Sequence, residues 1–262
     1  MWSVFPQLGL LLFAIAGLGW LYSFYRHNVN IVDSLWSLFF LSGSLFIVYI
    51  NGQFSIEYLL LLVPIAIWAL RLSFFLLLRN HNKAEDRRYH EMRLRRGNSF
   101  RFKSLYIIFG LQAAIALLLI SGWLPALSQG IKPGPVVLAG ILIWLIGFIF
   151  ESVADYQLYQ FKRDAVNRGK IMTRGLWALS RHPNYFGETL VWWGLYLMML
   201  EVSPWWIIIS PVLMTLLIIK VSGISLMEKG MDNRRPGYQQ YADNTPAFIP
   251  GVKFSSKTRA TL

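Results

Sequence analysis

Apolar residues dominate seven stretches of the chain, near 8–25, 31–50, 58–78, 105–127, 135–158, 184–203 and 205–225. Each is about the roughly 20 residues that an α-helix needs to cross a bilayer. Polar, basic segments separate them, and no internal repeat or low-complexity run interrupts the pattern. Only the Ser203-Pro204 break divides the last two, which predicts a tight helical hairpin. The expectation is an all-α polytopic membrane bundle of about seven transmembrane helices, forming one membrane domain over 1–262. The first stretch has no basic residue before it, and Arg26 follows it. A cleavable signal has the opposite order, so this segment is expected to be a retained span.

The placement of charge supports that count. Of 25 Lys and Arg, nine fall in 79–103, six in 159–183 and six after the last span, with Arg26 after the first. With seven spans these 22 share one side; Lys132 lies opposite, and Arg71 and Lys220 lie within spans. Cytoplasmic loops collect Lys and Arg, so the N-terminus is expected outside and the C-terminus in the cytoplasm. A net charge of +12 would suit nucleic acid in a soluble chain. In one that is 55% hydrophobic and only 15% charged, the partners expected are membrane lipids, with no nucleic acid. No cysteine is present, which excludes disulfides and thiolate chemistry. Nothing in the pattern specifies an oligomeric state.

Ionisable residues at span depth are costly and mark sites. Asp33, Arg71, Glu151, Asp155, Glu188 and Lys220 qualify, although Arg71 and Lys220 have stems long enough to snorkel. In ESVADYQLYQFKR at 151–163, Glu151, Asp155 and Lys162 project within about 40° on a helix. They form either a ligand-binding stripe or a mutual salt-bridge network. In TRGLWALSRHPNYFGETL at 173–190, Pro183 suits the first helical position and His182 the cap. The free N–H groups of that turn, beside Arg174 and Arg181, make an anion site. Asn184 and Glu188 share a face one turn inside, and an Asn amide offers the donor and acceptor that a carboxamide ligand requires. The alternative is a plain turn with a Pro start. The tail at 226–251 carries Arg234, Arg235, Tyr238 and Tyr241; its tyrosines either cover a ring or join the aromatic belt. The loop at 81–103, with Glu85, Asp86 and Tyr89, reads as a basic helix on the membrane surface or as part of a site. GxGxxG, Walker and HExxH patterns are missing, and His27, His81, His90 and His182 lack metal-ligand spacing.

SRHPNYFGE at 180–188, with GLW at 175–177, ESVADYQ at 151–157 and RRPGYQQYADNTPAFIP at 234–250, resembles a bacterial membrane family sharing the steroid 5-alpha-reductase C-terminal domain. AEDRRY at 84–89 and LWSL at 35–38 extend the likeness over most of the chain. Sterol reductases and isoprenylcysteine carboxyl methyltransferases carry related motifs. The resemblance implies a bacterial inner-membrane enzyme whose NADPH site faces the cytoplasm. Asn184 and Glu188 would meet the nicotinamide end, in a motif that includes His182 and Tyr185. Glu151 and Asp155, with Lys162 on the same stripe, would bind the nucleotide, although one steroid reductase has Asn in place of Glu151. Arg163, Arg174 and Arg181 would hold phosphates, and Arg235, Tyr238 and Tyr241 would close the site. Glu228 stands where some steroid reductases have His. Those reductases place a Glu and a Tyr of the N-terminal half at the substrate carbonyl, and Asp33 and Tyr89 are the candidates here. The implied division is a substrate side at 1–103 and a cofactor part at 104–262.

The expected reaction is reduction of a carbon–carbon double bond in a lipidic, steroid-like or isoprenoid, substrate, met by Trp36, Trp144, Trp192 and Trp193. A methyltransferase using S-adenosylmethionine is the rival. It shares the RHP-x-Y-x-G core, but its pair of adjacent glutamates is here Glu228 followed by Lys229. A non-enzymatic lipid-binding or transport protein is the third reading, disfavoured because polarity gathers at one end rather than mid-bilayer.

Overall fold

The structure is a computed structural model that describes residues 2–51, 55–221, 224–228, 231 and 235–252. It is 81% helix, with no strand among the described residues. Arg234 and Lys229 lie outside those residues. The chain divides into two compact units, 1–137 with 198–209 and 138–197 with 210–262.

In the first unit, three long helices follow one another: α1 (Phe5–Arg26), α2 (Ile31–Asn51) and α3 (Ile56–Asn80). Helix α1 stops because His27 adopts a left-handed conformation, φ 51°, and the next N–H turns back to Ser23 O at 3.2 Å. That closure satisfies carbonyls the helix would otherwise leave open. Pro64 lies inside α3. After α3 come α4 (Arg87–Arg96) and α5 (Phe100–Ser104), a π-helical stretch (Leu105–Gly110), α6 (Leu111–Ser121) and α7 (Leu124–Gln129). The span expected at 105–127 therefore ends early. Pro125 has no N–H to continue a helix and instead sits in the first turn of α7. Helix α2 packs on α1, α3 and α6. The core of the unit is aromatic: the Phe40 ring lies 5.9 Å from Trp68 and 5.5 Å from Trp123.

In the second unit, α8 (Pro135–Arg163) is followed by a loop, the short α9 (Leu176–Leu179) and α10 (Pro183–Met199). Pro183 opens α10 as its sequence context predicts, and His182 O accepts the N–H of Phe186 at 3.1 Å. Beyond lie α11 (Ile209–Leu216), α12 (Ile224–Glu228) and α13 (Tyr238–Asn244).

Among the described residues, five helical runs are long and apolar enough to cross a membrane: α1, α2, α3, the run Arg87–Ser121 and α8. The expected seven is not confirmed. Helix α10 has 17 residues, and the stretch Trp205–Lys220 is a shorter apolar helix. The Ser203-Pro204 break, the 3-10 turn Trp205–Ile208 and the π turn Leu217–Val221 consume length that uninterrupted helices would have used.

Glycines set the packing of α8 on α10. A Cβ on Gly187 would lie 2.4 Å from Glu151 N and 2.7 Å from Gly147 O, and one on Gly194 would lie 2.5 Å from Trp144 N. The register runs antiparallel, with Gly187 beside 147–151 and Gly194 beside 144. Backbone meets backbone here, as small residues allow in membrane helices. Gly187→Ala is expected to destabilise the protein by about 1–3 kcal/mol, because neither backbone can yield as a flexible side chain would. Gly17→Ala serves as the control, since its Cβ would meet nothing within 4 Å. Thermal unfolding in detergent should show a lower Tm for the first and none for the second.

Candidate functional site

The antiparallel register of α8 and α10 brings Asn184 beside Asp155. The Asn184 side-chain amide donates to Asp155 Oδ1 at 3.2 Å, across 29 residues of sequence. Glu151 and Asp155 are buried, at 2% and 6% exposure, on the same face of α8. A carboxylate is rarely so enclosed unless hydrogen bonds compensate its lost hydration. Asn184 Oδ1 is buried with no hydrogen-bond partner among the described residues. An acceptor in that state costs stability until a donor reaches it. Glu188 lies one turn further along α10, half-buried.

The start of α10 is tied to the tail. His182 N–H donates to Ser180 Oγ at 3.1 Å, and the His182 ring stacks on Tyr185 with centroids 5.6 Å apart. His182 Nε2 and Arg181 Nε approach the same oxygen, Glu228 Oε1, at 3.0 and 2.7 Å. Arg181 Nη2 bonds the other oxygen at 2.9 Å, while Nη1 donates to the carbonyls of Ala242 and Thr245 at 2.9 and 2.8 Å. Four of the five donors a guanidinium possesses are thereby engaged. The backbone repeats the attachment: Arg181 N–H donates to Pro246 O and Gly251 N–H to Leu179 O. Ser180 Oγ donates to Phe248 O at 2.7 Å.

Tyr238 and Tyr241 are buried, their rings 6.2 Å apart. Tyr241 donates its hydroxyl to Trp177 O at 2.5 Å, and the Trp177 indole N–H donates to Ala154 O at 3.0 Å. The tail helix α13 is thus linked through Trp177 to α8, next to Asp155. Burial pushes both phenols up, and the Glu228 charge adds to it. Gln157 Oε1 accepts the N–H of Leu176 at 3.0 Å, and Gly175, at φ 60°, passes so close to that amide that a Cβ would lie 2.6 Å away. Sequence reasoning missed Ser180, Gln157 and Trp177, whose bonds join segments far apart in the chain.

The remaining basic candidates sit differently. Lys162, Arg163 and Arg174 are exposed, with Arg163 over the Tyr159 ring at 5.7 Å. Arg235 is half-buried, and its Nη1 lies 3.8 Å from where a Cβ on Gly169 would be. In the first unit, Asp33 and Tyr89 come together. The Tyr89 hydroxyl donates to Asp33 Oδ1 at 2.7 Å, and Arg88 Nη2 lies 3.7 Å from Asp33 Oδ2.

Glu228 carries the electrostatics of the tail attachment. Burial raises its carboxyl, but the hydrogen bonds and charges of His182 and Arg181 outweigh that and bring it to about 2, against an ordinary 4.5. A carboxyl held low stabilises the fold fully above its ordinary value and loses that contribution as pH falls through the folded one. Thermal melts of the wild type should therefore decline between pH 4.5 and about 2. Glu228→Gln should lower Tm at neutral pH and flatten the decline in that window.

A family model described as "Protein of unknown function (DUF1295)" matches residues 19–245. A probable O-methyltransferase from Ustilaginoidea virens, ustE, is 38% identical over 56 residues, covering 21% of this chain and 20% of that protein. The steroid 5-alpha-reductase DET2 of Gossypium hirsutum is 40% identical over 57 residues, 22% of each chain. The matched stretch thus spans about a fifth of either relative. No solved structure matches. These relatives suggest a membrane enzyme of the reductase or methyltransferase type. The match over most of its length makes the chain a member of the DUF1295 family, the steroid 5-alpha-reductase-like family.

Proposed function

We propose that the protein is an NADPH-dependent reductase of a carbon–carbon double bond in a lipidic substrate. The observation that carries this reading is the Asn184 amide. Its nitrogen is held by Asp155, which fixes which way the group faces, and its oxygen is a buried acceptor without a donor. A carboxamide N–H₂ of a nicotinamide ring supplies such a donor. NADPH, when bound, supplies a hydride, and the protein's task is orientation and electrostatics. Asn184 with Asp155 orients the ring, and Glu188 lies on the same face of α10 one turn on. Exposed Arg163 and Arg174 bind phosphate oxygens. Arg181, with four donors engaged, instead holds the tail in place.

Residues 1–103 take the substrate in this reading, and 104–262 the cofactor. Hydride addition to a conjugated alkene needs a group that polarises the carbonyl oxygen and returns a proton. Tyr89 has a proton to give, and Asp33 positions its hydroxyl at 2.7 Å. The segment 159–183, which carries Arg163 and Arg174, holds six Lys and Arg, which supports a cofactor site on the cytoplasmic side.

The likeness to an O-methyltransferase favours a second reading, transfer of a methyl group from S-adenosylmethionine. Calorimetry on the purified protein separates the two. The reductase reading expects NADPH to bind more tightly than NADH, because Arg163 and Arg174 meet the extra phosphate, and S-adenosylmethionine to give no heat. Binding of S-adenosylmethionine with silence toward NADPH would overturn it. Asn184→Ala should weaken NADPH by about tenfold or more, the worth of one buried hydrogen bond, while the protein still unfolds cooperatively. An unchanged affinity removes Asn184 from the site. Tyr89→Phe should leave NADPH affinity unchanged and depress turnover.

A further inference from the structure

A cavity of about 280 Å³ opens in the first unit, where α1 ends, α2 begins and α3 ends. It is distinct from the residues assigned to cofactor. Its walls include Arg26, Asn28, Ser34, Asn80, His81 and Lys83, and no carboxylate lines it. Arg26, His81 and Lys83 are exposed, and neither Arg26 nor His81 has a side-chain partner among the described residues.

The floor is fixed by hydrogen bonds between the α1–α2 turn and the segment after α3. Asn30 donates to Ala84 O at 3.1 Å and accepts from Asp86 N–H at 2.8 Å. Asn28 donates to Lys83 O at 3.2 Å. Glu85 accepts the Val29 N–H at 3.1 Å and pairs with Arg93 at 2.6 Å. That carboxylate is therefore neutralised within the scaffold and does not compete for the cations at the mouth.

Two of the lining residues each keep a buried polar atom without a partner: Ser34 Oγ and Asn80 Nδ2. Ser34 is only 2% exposed. Buried hydroxyls and amides nearly always find partners, and two such atoms bordering one cavity point to a ligand that provides them. A hydroxyl and an amide N–H are both donors to an acceptor-rich group. Three cationic or imidazole side chains at the mouth add the charge that such a group would carry if anionic. The volume lies at the lower edge of the roughly 300–1,000 Å³ typical of small-molecule clefts.

We infer that this cavity binds a phosphate-bearing group, with Arg26 and Lys83 pairing its charge at the mouth and Ser34 and Asn80 donating from the wall. The group is the headgroup of an anionic lipid or a soluble phosphate, since both present the same oxygens. Phosphate oxygens accept several hydrogen bonds at once, and charged donors make those bonds short and strong. The inference does not depend on which cofactor the second unit takes.

The test uses the full chain. In detergent, inorganic phosphate is titrated against sodium chloride of equal ionic strength while Tm is followed. In nanodiscs, phosphatidic acid in phosphatidylcholine is compared with phosphatidylcholine alone. Saturable stabilisation by phosphate, by phosphatidic acid or by both is expected. A response to the lipid alone assigns the site to headgroups, and one to phosphate alone assigns it to a soluble ligand. The double variant Arg26→Gln, Lys83→Gln alters exposed side chains only and should raise half-saturation about tenfold or more. Ser34→Ala should weaken binding without changing its salt dependence. No stabilisation beyond that of chloride in either medium, or an unaltered titration in the double variant, overturns the inference.

Discussion

The close approach of the α8 and α10 backbones is the constraint from which the polar interior of the second unit follows. Gly147, Gly187 and Gly194 remove the side chains that would hold the helices apart. At that separation the face of α8 carrying Glu151 and Asp155 has no room for water, so the carboxylates need donors from protein or ligand. Asn184 is one turn before Gly187 and answers Asp155 directly. Had any of these glycines been alanine, the same polar residues would stand at a wider, wetter crevice. Their burial is a property of the glycines as much as of the acids.

A second consequence concerns the tail. Arg181 lies between the α9 turn and α10, and its guanidinium grips Glu228 and two carbonyls of 242–245. The carbonyls alone are weak anchors, and a charge pair fixes them because a half-buried guanidinium left without its carboxylate is costly. Glu228 adds His182, the cap residue of α10, to the same cluster. One carboxylate therefore couples the first turn of α10, through two side chains, to a segment some fifty residues later. Ligands that meet Asn184, two residues from His182, bind beside this junction.

The sequence exposed the helical class through its apolar stretches, and the start of α10 through Pro183 with His182 before it. The count of spans was less legible. Ordinary hydropathy registers apolar content but not the π and 3-10 turns at 105–110, 205–208 and 217–221, which shorten or interrupt the helices. The pairing of Asp33 with Tyr89 joins residues 56 apart; the family resemblance offered both as candidates, but nothing in their spacing put one against the other. The Tyr241–Trp177–Ala154 chain was not legible at all, because both of its acceptors are backbone carbonyls that every residue possesses.

The arginines show most clearly what a charge count leaves out. By number, all but Arg71 are expected on one basic side. By partner, they fall into two kinds. Arg93 and Arg181 have carboxylates at 2.6 and 2.7 Å, and Arg88 lies against Asp86 at 2.9 Å; their charge is used inside the protein to position loops and tail. Arg26, Arg163 and Arg174 are exposed and have no carboxylate among the described residues. Field strength at the surface comes from the second kind, since a neutralised pair projects little beyond a Debye length. The positive charge left free to meet an anion therefore belongs to a handful of side chains, and the paired charge is architecture. Which arginine belongs to which kind is decided by where Glu85, Asp86 and Glu228 fall in the fold, an arrangement that spacing along the chain does not encode.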